Sequence, residues 1–498
     1  MLESNEDQFG IEETLESWVM SKCQDWRDHY DTNYEQKFDE YYRLWRGIYS
    51  SEDRNRSSER SEIISPALQQ AVESSVAEIE EATFGRGRFF DMKDDLVDAD
   101  NEDVAYLREK LLEDFKANKI RKGVAECLIN AAVFGTGIAE IVLEEVKEMR
   151  PASEPIMDGQ LQAVGVNISD RTVCKLRPVL PQNFLIDPVA VDVDSALGVA
   201  IDEFVPTHAV EQLQEKGVYK NVPFNFAYPD TDLDPDHELT TQPTDKARLT
   251  KYYGLVPRHL LENDEDFEEV EQLTDDEEET GFYVEAIVVI ANGGTLLKAE
   301  KNPYMMQDRP VVAFPWDIVP SRFWGRGVCE KGYNSQKALD AELRARIDAL
   351  ALTVILTNGN PSEILQPFNF GQVSQITFAQ AGELQRMVQT ATGAIDSVGI
   401  GGSVNGESTA AGISMSLGAI IKRHKRTLIN FQECFLIPFV SKAAYRYMQF
   451  EPELYPVADY KFEVTSSLGI IAREYEVTQL VQLLQTMSPE SPLYPALI

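Results

Sequence analysis

The chain has 498 residues, of which 43% are hydrophobic and 26% are charged, a balance typical of folded chains with several domains. Lys and Arg number 46 against 83 Asp and Glu, which leaves a net charge of −37. A protein that binds nucleic acid over its whole surface is normally basic, so this composition excludes a general DNA-binding surface. An acidic wall suits a structure that encloses DNA without holding it, although improved solubility explains the same charge more simply.

The cysteines give no sign of a disulfide framework or a zinc site. They are odd in number, widely spaced and without a C-x-x-C pair: Cys23, Cys127, Cys174, Cys329 and Cys434. Residues 1–10 are acidic and lack the pattern of a signal sequence. No apolar run approaches the ~18 residues that a membrane helix needs. We therefore expect a protein that is not secreted, does not enter a membrane and keeps its thiols reduced.

The first third of the chain is predicted to be helical. Residues 11–48 carry aromatic and aliphatic side chains at spacings of three and four, which predicts an amphipathic helix that packs into the core or against another subunit. Further helices are predicted over 66–84 and 102–134, each closed by glycines. The period then changes to two. Alternating patterns predict strands over 138–146, 172–180, 246–256, 282–291 and 296–301, with turns at 183–188 and 292–294 and a short helix over 208–216, capped by Thr207.

The last third returns to helical patterns. A long helix is predicted over 328–352, and a second from about Ser408 to Tyr447 with a kink at Pro438. Between them lies a polar loop rich in glycine, residues 391–412. A short strand over 462–464 and a final helix over 473–487 complete the pattern. The irregular stretch 221–243 and the acidic run 262–280 are predicted to be solvated connections.

The sequence shows no recognisable catalytic motif. It has no phosphate-binding G-x-x-x-x-G-K-[ST], no G-x-S-x-G and no H-E-x-x-H, so we expect no catalytic, cofactor or metal site. The acidic cluster Asp232, Asp234, Asp236 and Glu238 is a candidate for Mg²⁺ or Ca²⁺, although chance clustering is expected among so many acids. A carboxylate-dependent metal nuclease stays open as an alternative, because carboxylates alone support two-metal chemistry.

Three segments, in this order, resemble the portal proteins of tailed bacteriophages, in particular the short-tailed, podovirus-type branch. They are YYRLWRGIYSSEDRNRSSERSEIISPALQQAVESSVAEIEEATFG (41–85), AFPWDIVPSRFWGRGVCEKGYNSQKALDAELRARIDALAL (313–352) and GESTAAGISMSLGAIIKRHKRTLINFQECFLIPFV (406–440). The resemblance covers most of the chain and lies in the order of the segments rather than in one specific motif.

The resemblance implies an α+β, mostly helical portal-type subunit with a wing, a stem, a β-containing clip and a helical crown. The implied divisions are wing 1–205, stem 206–243, clip 244–320, stem helix 321–352, wing 353–450 with a tunnel loop at 391–412, and crown 451–498.

The implied function is structural and not enzymatic. Such subunits form a ring, typically of twelve copies, at one capsid vertex of the virion, through which double-stranded DNA is packaged and ejected. The implied partners are other copies of the chain, double-stranded DNA in transit, the terminase motor, head–tail adaptor and tail proteins, and the major capsid and scaffolding proteins. Assembly is expected in the host cytoplasm, with no membrane partner. Another head–tail structural component, such as an adaptor, is the structural alternative.

Three groups of residues are candidates for functional contacts. The tunnel-loop residues that would face DNA are Asp396, Ser403, Asn405 and Glu407. Many related loops present a basic residue, and its absence here argues against a loop that grips phosphate. A basic run is predicted to form salt bridges with acids of a neighbouring subunit, with DNA contact as the second interpretation: Lys422, Arg423, Lys425 and Arg426. On the predicted stem helix the charged candidates are Arg344, Arg346 and Asp348.

Overall fold

The structure is a computed structural model, which describes residues 14–49, 61–85, 89–94, 102–155, 161–223, 246–262, 282–351, 375–392, 425–456 and 460–463. Helices and antiparallel sheets are mixed in it, and this confirms the predicted α+β class.

The helices alternate with the strands along the chain. Their bounds are α1 Leu15–Tyr30, α2 Gln36–Arg46, α3 Ala67–Phe84, α4 Glu102–Ala117, α5 Ile120–Phe134, α6 Thr207–Glu215, α7 Arg258–Glu262, α8 Val328–Ala351, α9 Gln375–Thr392, α10 425–431 and α11 Ile437–Phe450. Two π-helical segments join consecutive helices. They are Asp31–Glu35, between α1 and α2, and Gln432–Leu436, between α10 and α11.

The strands form antiparallel sheets. Their bounds are β1 Asp91–Asp94, β2 Thr136–Pro155, β3 Leu161–Val179, β4 Phe184–Ile186, β5 Gly198–Pro206, β6 Lys246–Pro257, β7 Tyr283–Ala291, β8 Thr295–Lys301, β9 Val311–Pro315 and β10 Tyr460–Glu463. One sheet has the order β4-β5-β6-β7-β8, a second has the order β3-β2-β9, and β1 pairs with β10.

The helical predictions are confirmed in the N-terminal region with one correction. Residues 11–48, 66–84 and 102–134 contain helices as predicted, but the last stretch is two helices rather than one. It is broken between α4 and α5, where Lys119 adopts a left-handed φ of 55°. Gly123 does not break α5. A side chain there would meet the Leu176 carbonyl oxygen at 2.9 Å, so the glycine allows β3 to approach the helix.

The predicted strands are confirmed, and the structure adds four more, β1, β4, β5 and β9. The strands predicted over 138–146 and 172–180 pair as expected, and they continue into a longer hairpin formed by β2 and β3. The turn predicted at 183–188 is wrong, because a 3₁₀ turn at Pro181–Asn183 leads directly into β4. Strand β5 was not predicted. The short helix over 208–216 is confirmed as α6, but Thr207 is its first residue and makes no capping hydrogen bond.

The five-stranded sheet is covered on both faces. On one face α1 packs its indoles against β6: the Trp26 ring stacks on Tyr252 at 6.0 Å, and Trp18 meets the same ring edge-on at 6.3 Å. Residues of the opposite face, such as Tyr253 and Ile287, join the main core with α5, β2 and the C-terminal helices. The N-terminal aromatic stripe is therefore core in this chain.

The long helix α8 is placed by a close crossing of glycines. Gly135 ends α5 with φ 99°, and a side chain on it would meet the Gly325 carbonyl oxygen at 2.2 Å. On the other side of the crossing, the Thr136 hydroxyl accepts a hydrogen bond from the Gly325 amide at 2.9 Å. Gly327 lies against the Ala132 carbonyl oxygen in the same way. Because backbone touches backbone, the start of α8 is fixed against the end of α5.

The C-terminal predictions have mixed outcomes. Helix α8 and the strand at 462–464 are confirmed, the latter as β10. The kink expected at Pro438 stays a prediction; a π-helical segment, Gln432–Leu436, directly precedes the helix that contains this proline. Helix α9 was not predicted. The start of the second long helix, the acidic run, the tunnel loop beyond Thr392, the final helix and most of 221–243 lie outside the described residues.

The five-stranded sheet crosses one of the predicted domain boundaries. Strands β6 to β8 belong to the predicted clip, whereas β4 and β5 belong to the predicted wing. Strand β9, also from the clip, pairs with β2 of the wing. The division into wing, stem, clip and crown stays a prediction.

The glycine crossing gives a test of what holds α8. We expect Gly135→Ala to lower the free energy of unfolding by more than the about 1–2 kcal/mol that a left-handed backbone costs an alanine, because its Cβ would also strike a backbone oxygen. Gly47→Ala is the matched control, since Gly47 has φ 67° with nothing within 4 Å of an added Cβ. Chemical denaturation of both variants measures the difference. Equal losses of unfolding free energy in the two variants would show that the backbone at the crossing shifts easily to admit a side chain.

Candidate functional site

A polar ladder on α8 binds the backbone of the segment 61–65. The rungs are spaced by four residues along the helix. Asp348 accepts a hydrogen bond from the Ser61 amide at 2.7 Å, and Arg344 donates to the Ile63 carbonyl at 3.0 Å. Asp340 accepts from the Ser65 amide at 2.8 Å. A final rung, Gln336, donates to the Ser65 carbonyl at 2.8 Å.

The geometry of the two elements explains why this ladder forms. Four residues of an α-helix rise about 6 Å, and two residues of an extended chain span about 6.6 Å. In an extended chain, alternate residues direct their N–H and C=O groups to the same side. The helix positions 340, 344 and 348 therefore meet 65, 63 and 61 in step. The segment 61–65 is held as a strap along α8.

The buried end of the ladder has unused acceptors. Gln336 and Asp340 are 0% and 2% exposed, and Gln336 Nε2 donates to Asp340 Oδ1 at 2.9 Å. Gln336 Oε1 and Asp340 Oδ2 have no hydrogen-bond donor among the described residues. Burial raises the pKa of Asp340 above its ordinary 3.8, against the opposing effects of the Ser65 amide, the Gln336 amide and Arg344. A buried carboxylate with one unbonded oxygen therefore lies inside the helical layer.

The predicted stem-helix candidates thus have structural partners within the chain. Arg344 and Asp348 bind the strap, and the Arg344 guanidinium also lies 4.7 Å from the centre of the Tyr49 ring. Arg346 pairs with Glu342 on the same helix at 3.0 Å. Their assignment to a stem stays a prediction, and these contacts are the ones that each side chain would have to break in order to bind another molecule.

The predicted basic run is described at only two of its residues. Lys425 and Arg426 are the first described residues of α10, both with exposed side chains, and Ile429 one turn later is also exposed. Thr427 and Leu428 between them are buried. Neither cation forms an ion pair with any of the described residues. Lys422, Arg423 and the tunnel-loop candidates Asp396, Ser403, Asn405 and Glu407 lie outside the described residues.

Buried ion pairs join the sheets, and the sequence did not predict them. Glu140 of β2 is 2% exposed, and its Oε1 accepts hydrogen bonds from the Tyr253 hydroxyl at 2.8 Å and Lys251 at 3.3 Å. Lys251 also pairs with Glu203 at 2.7 Å. Burial alone would raise the pKa of Glu203, but Lys251 and Arg177 outweigh it and lower that pKa. Glu140 Oε2 accepts no hydrogen bond among the described residues, but Arg177 forms an ion pair with it at 3.8 Å. The charges of the cluster are therefore balanced within the chain, which indicates a structural role.

A second buried carboxylate fixes α1 on the sheet. Asp202 of β5 is 4% exposed and forms ion pairs with Arg27 of α1 and, at 2.6 Å, with Arg248 of β6. The Thr250 hydroxyl donates to the same carboxylate at 2.7 Å. Two cations and a hydroxyl surround one acid, so it too acts as a structural junction.

Other features of the described residues give little support for a catalytic or binding site. Among the described residues, no group of His, Cys, Asp and Glu is arranged to hold a metal ion. A pocket between α1 and β4, lined by aromatic side chains, has about 30 Å³ of room, enough for a few water molecules. The described helices include none long and apolar enough to cross a bilayer.

Comparison with known proteins adds no relative: no protein-family model matches the chain, and no curated protein is significantly similar to it.

The buried carboxylate of the ladder predicts a stability change that depends on pH. Because the pKa of Asp340 is raised on folding, the native state is favoured by protonation and loses stability as the pH rises above the unfolded value of 3.8. Asp340→Asn keeps an oxygen for the Ser65 amide without the charge. We expect this variant to unfold at a higher temperature than the parent chain at pH 7, with the gap closing as the pH falls towards 4.

Asp340→Ala is the matched control, since it removes the acceptor and leaves the Ser65 amide unsatisfied. It should lower stability by about 1–3 kcal/mol at every pH. Thermal unfolding followed by circular dichroism measures all three chains. A parent chain that is more stable than Asp340→Asn at pH 7 would mean that the carboxylate is compensated.

Proposed function

We propose that this chain is one subunit of the ring-shaped portal of a tailed bacteriophage, a channel for double-stranded DNA rather than an enzyme. The observation that carries the proposal is the order of the three segments that resemble this family. In the middle segment a β-rich stretch leads through the tryptophans Trp316 and Trp324 into the 24-residue helix α8. That order is expected where a clip passes into a stem helix.

The charge of the chain supports the proposed channel. A ring of twelve copies presents each acid of its lining twelve times, and the chain has a net charge of −37. Like charges keep a passing polyanion from binding to the wall, so DNA would slide with little attachment. The terminase motor would supply the work during packaging, and adaptor and tail proteins would dock on the clip.

The exposed side of α8 fits a contact between copies. The strap covers one side of this helix. Positions three and four apart on another side are exposed, small and uncharged: Asn334, Ala338, Ala341 and Ala345. Small side chains let two helices approach closely, so we assign this side to the neighbouring subunit in the stem. The acids that line the channel would then come from other parts of the chain.

Imaging of the purified protein tests the proposal directly. We expect negative-stain images to show rings with a central hole, and mass photometry to give a particle about twelve times the mass of the 56.1 kDa chain. A chain that stays monomeric at every salt and protein concentration would refute the portal. A nuclease would instead cleave DNA with Mg²⁺ and lose that activity with a single carboxylate.

The basic run gives a second test. We expect Lys422→Glu combined with Arg426→Glu to impair ring assembly, because the run is proposed to pair with acids of a neighbouring copy. The fraction of chain in rings, measured by size exclusion with light scattering, is the readout. Normal rings that package DNA poorly would favour contact between this run and DNA.

A further inference from the structure

The loop between β4 and β5 exposes two valines to solvent, although hydrogen bonds to its backbone fix its position. Arg309, 4% exposed, donates to the Val193 carbonyl at 2.5 Å and to the Leu197 carbonyl at 3.3 Å. Glu285 holds the same guanidinium at 2.7 Å. Val189 and Val191 are nevertheless 87% and 53% exposed. A buried arginine thus fixes a loop on which Val189 and Val191 are exposed, whereas Val193 is buried in the core.

Short-range hydrogen bonds fix the same loop from within. The Asp187 carboxylate accepts from the Val189 amide at 3.1 Å, and the Asp192 carboxylate accepts from the Ser195 amide at 2.6 Å. Asp192 and Asp194 are both exposed. The loop therefore presents two apolar side chains flanked by acids in one conformation, and little entropy would be lost when a partner binds it. We call residues 187–195 the valine loop.

The first described turn of α10 offers the complementary surface. At 100° per residue, Lys425, Arg426 and Ile429 lie within an arc of about 100°, and all three are exposed. Two cations beside an isoleucine match two acids beside two valines in both charge and polarity. In a chain with a net charge of −37, cations without ion-pair partners among the described residues are a natural contact for another acidic copy. We call these three residues the basic patch.

Within one copy, the valine loop lies beside residues of the C-terminal helices that follow the basic patch in the chain. Burial raises the pKa of the Cys434 thiol, and the nearby Asp192 carboxylate adds to that rise. Burial lowers the pKa of Lys442, and the nearby Asp194 carboxylate acts against that fall. Cys434 is nine residues beyond Lys425, about 13 Å along a helix, and the π-helical segment intervenes. Among the described residues, the valine loop of the same copy therefore does not cover the basic patch.

We propose that the valine loop of one copy docks on the basic patch of the next copy. The proposal rests on the proposed function, because it names the contact through which neighbouring subunits join. Val189 and Val191 pack against Ile429 and the aliphatic stems of the two cations. Asp192 and Asp194 pair with Lys425 and Arg426, and these rim charges select the register of the two copies.

Site-directed crosslinking tests the contact. The background carries Cys434→Ser, because Cys434 is exposed and Cys23, Cys127, Cys174 and Cys329 are buried. Val189→Cys and Ile429→Cys are introduced together, and the assembled protein is treated with a short bismaleimide. We expect a series of covalent multimers of increasing size on a denaturing gel, and no multimer larger than a dimer from either single variant. Rings that form without these crosslinked multimers overturn the proposed contact but not the proposed portal, whereas a chain that never assembles overturns both.

Charge reversal gives an independent readout that does not depend on a crosslinker. We expect at least a tenfold loss of rings with Lys425→Glu plus Arg426→Glu, and a similar loss with Asp192→Lys plus Asp194→Lys. All four substitutions together should restore assembly, since the opposite charges then meet again. Lys122→Glu plus Lys216→Glu, both at exposed lysines, is the matched control and should assemble normally.

The same variants separate the docking contact from nucleic-acid binding. Failure of the fourfold variant to restore rings, while both double variants stay folded by circular dichroism, overturns the pairing. If reversal of the basic patch leaves rings intact and only weakens the retention of a 30-base-pair DNA duplex at low salt, the patch contacts DNA and the proposal is wrong.

Discussion

The two larger sheets are joined at a buried carboxylate, Glu140, and the arrangement of the rest of the chain depends on this junction. An isolated buried charge is costly, but here a hydroxyl and a lysine bind the same oxygen, which repays much of that cost. Glu140 lies at the base of the β2–β3 hairpin, and its partners lie on β6. The hairpin and the five-stranded sheet are therefore held in one relative position, and α1 and the valine loop are carried by that sheet.

A second consequence of the junction concerns the hairpin beyond it. Its far half carries Met149, Val166 and Ile168, which are 66%, 59% and 61% exposed. Met149 faces Ile168 across the ribbon, and the charged pair Lys147 and Asp170 on the same face separates them from the buried base. Two strands alone are marginally stable in water, so the buried base must supply much of the stability of the hairpin.

The elements that sequence predicted well are those whose own pattern reports their burial. Strand β6 alternates because Tyr252 faces the α1 side and Tyr253 faces the main core, and alternation is what the pattern detects. Strand β5 was missed because Val199, Ala200 and Ile201 are all buried, which leaves an apolar run without a period. The break at Lys119 depends on a single left-handed residue that is neither glycine nor asparagine, and local propensity gives no sign of it.

The candidate site was predicted only in part because its partners are distant in the sequence. Positions 336, 340, 344 and 348 are visible as a polar row on a predicted helix, but their partner is a strap about 270–290 residues away. A row of donors and acceptors at intervals of four, among the small side chains of the same helix, is a signal that could have pointed to a bound backbone. The basic run was visible as composition, but only the structure separates Lys425 and Arg426 from the buried residues that follow them.

The spacing of the polar ladder on α8 also fixes the register of the strap against the helix. An extended chain turns its amides over at each residue, so inserting one residue between Ser61 and Ser65 would direct half of the strap's hydrogen-bonding groups away from the helix. On the helix side, each step of four residues turns by about 400°, so successive rungs drift by about 40° around the axis. After three or four rungs, the side chains of the row no longer face a straight strand. The number of rungs is therefore limited by the mismatch between two periodicities, and a longer strap would have to coil around α8 to continue.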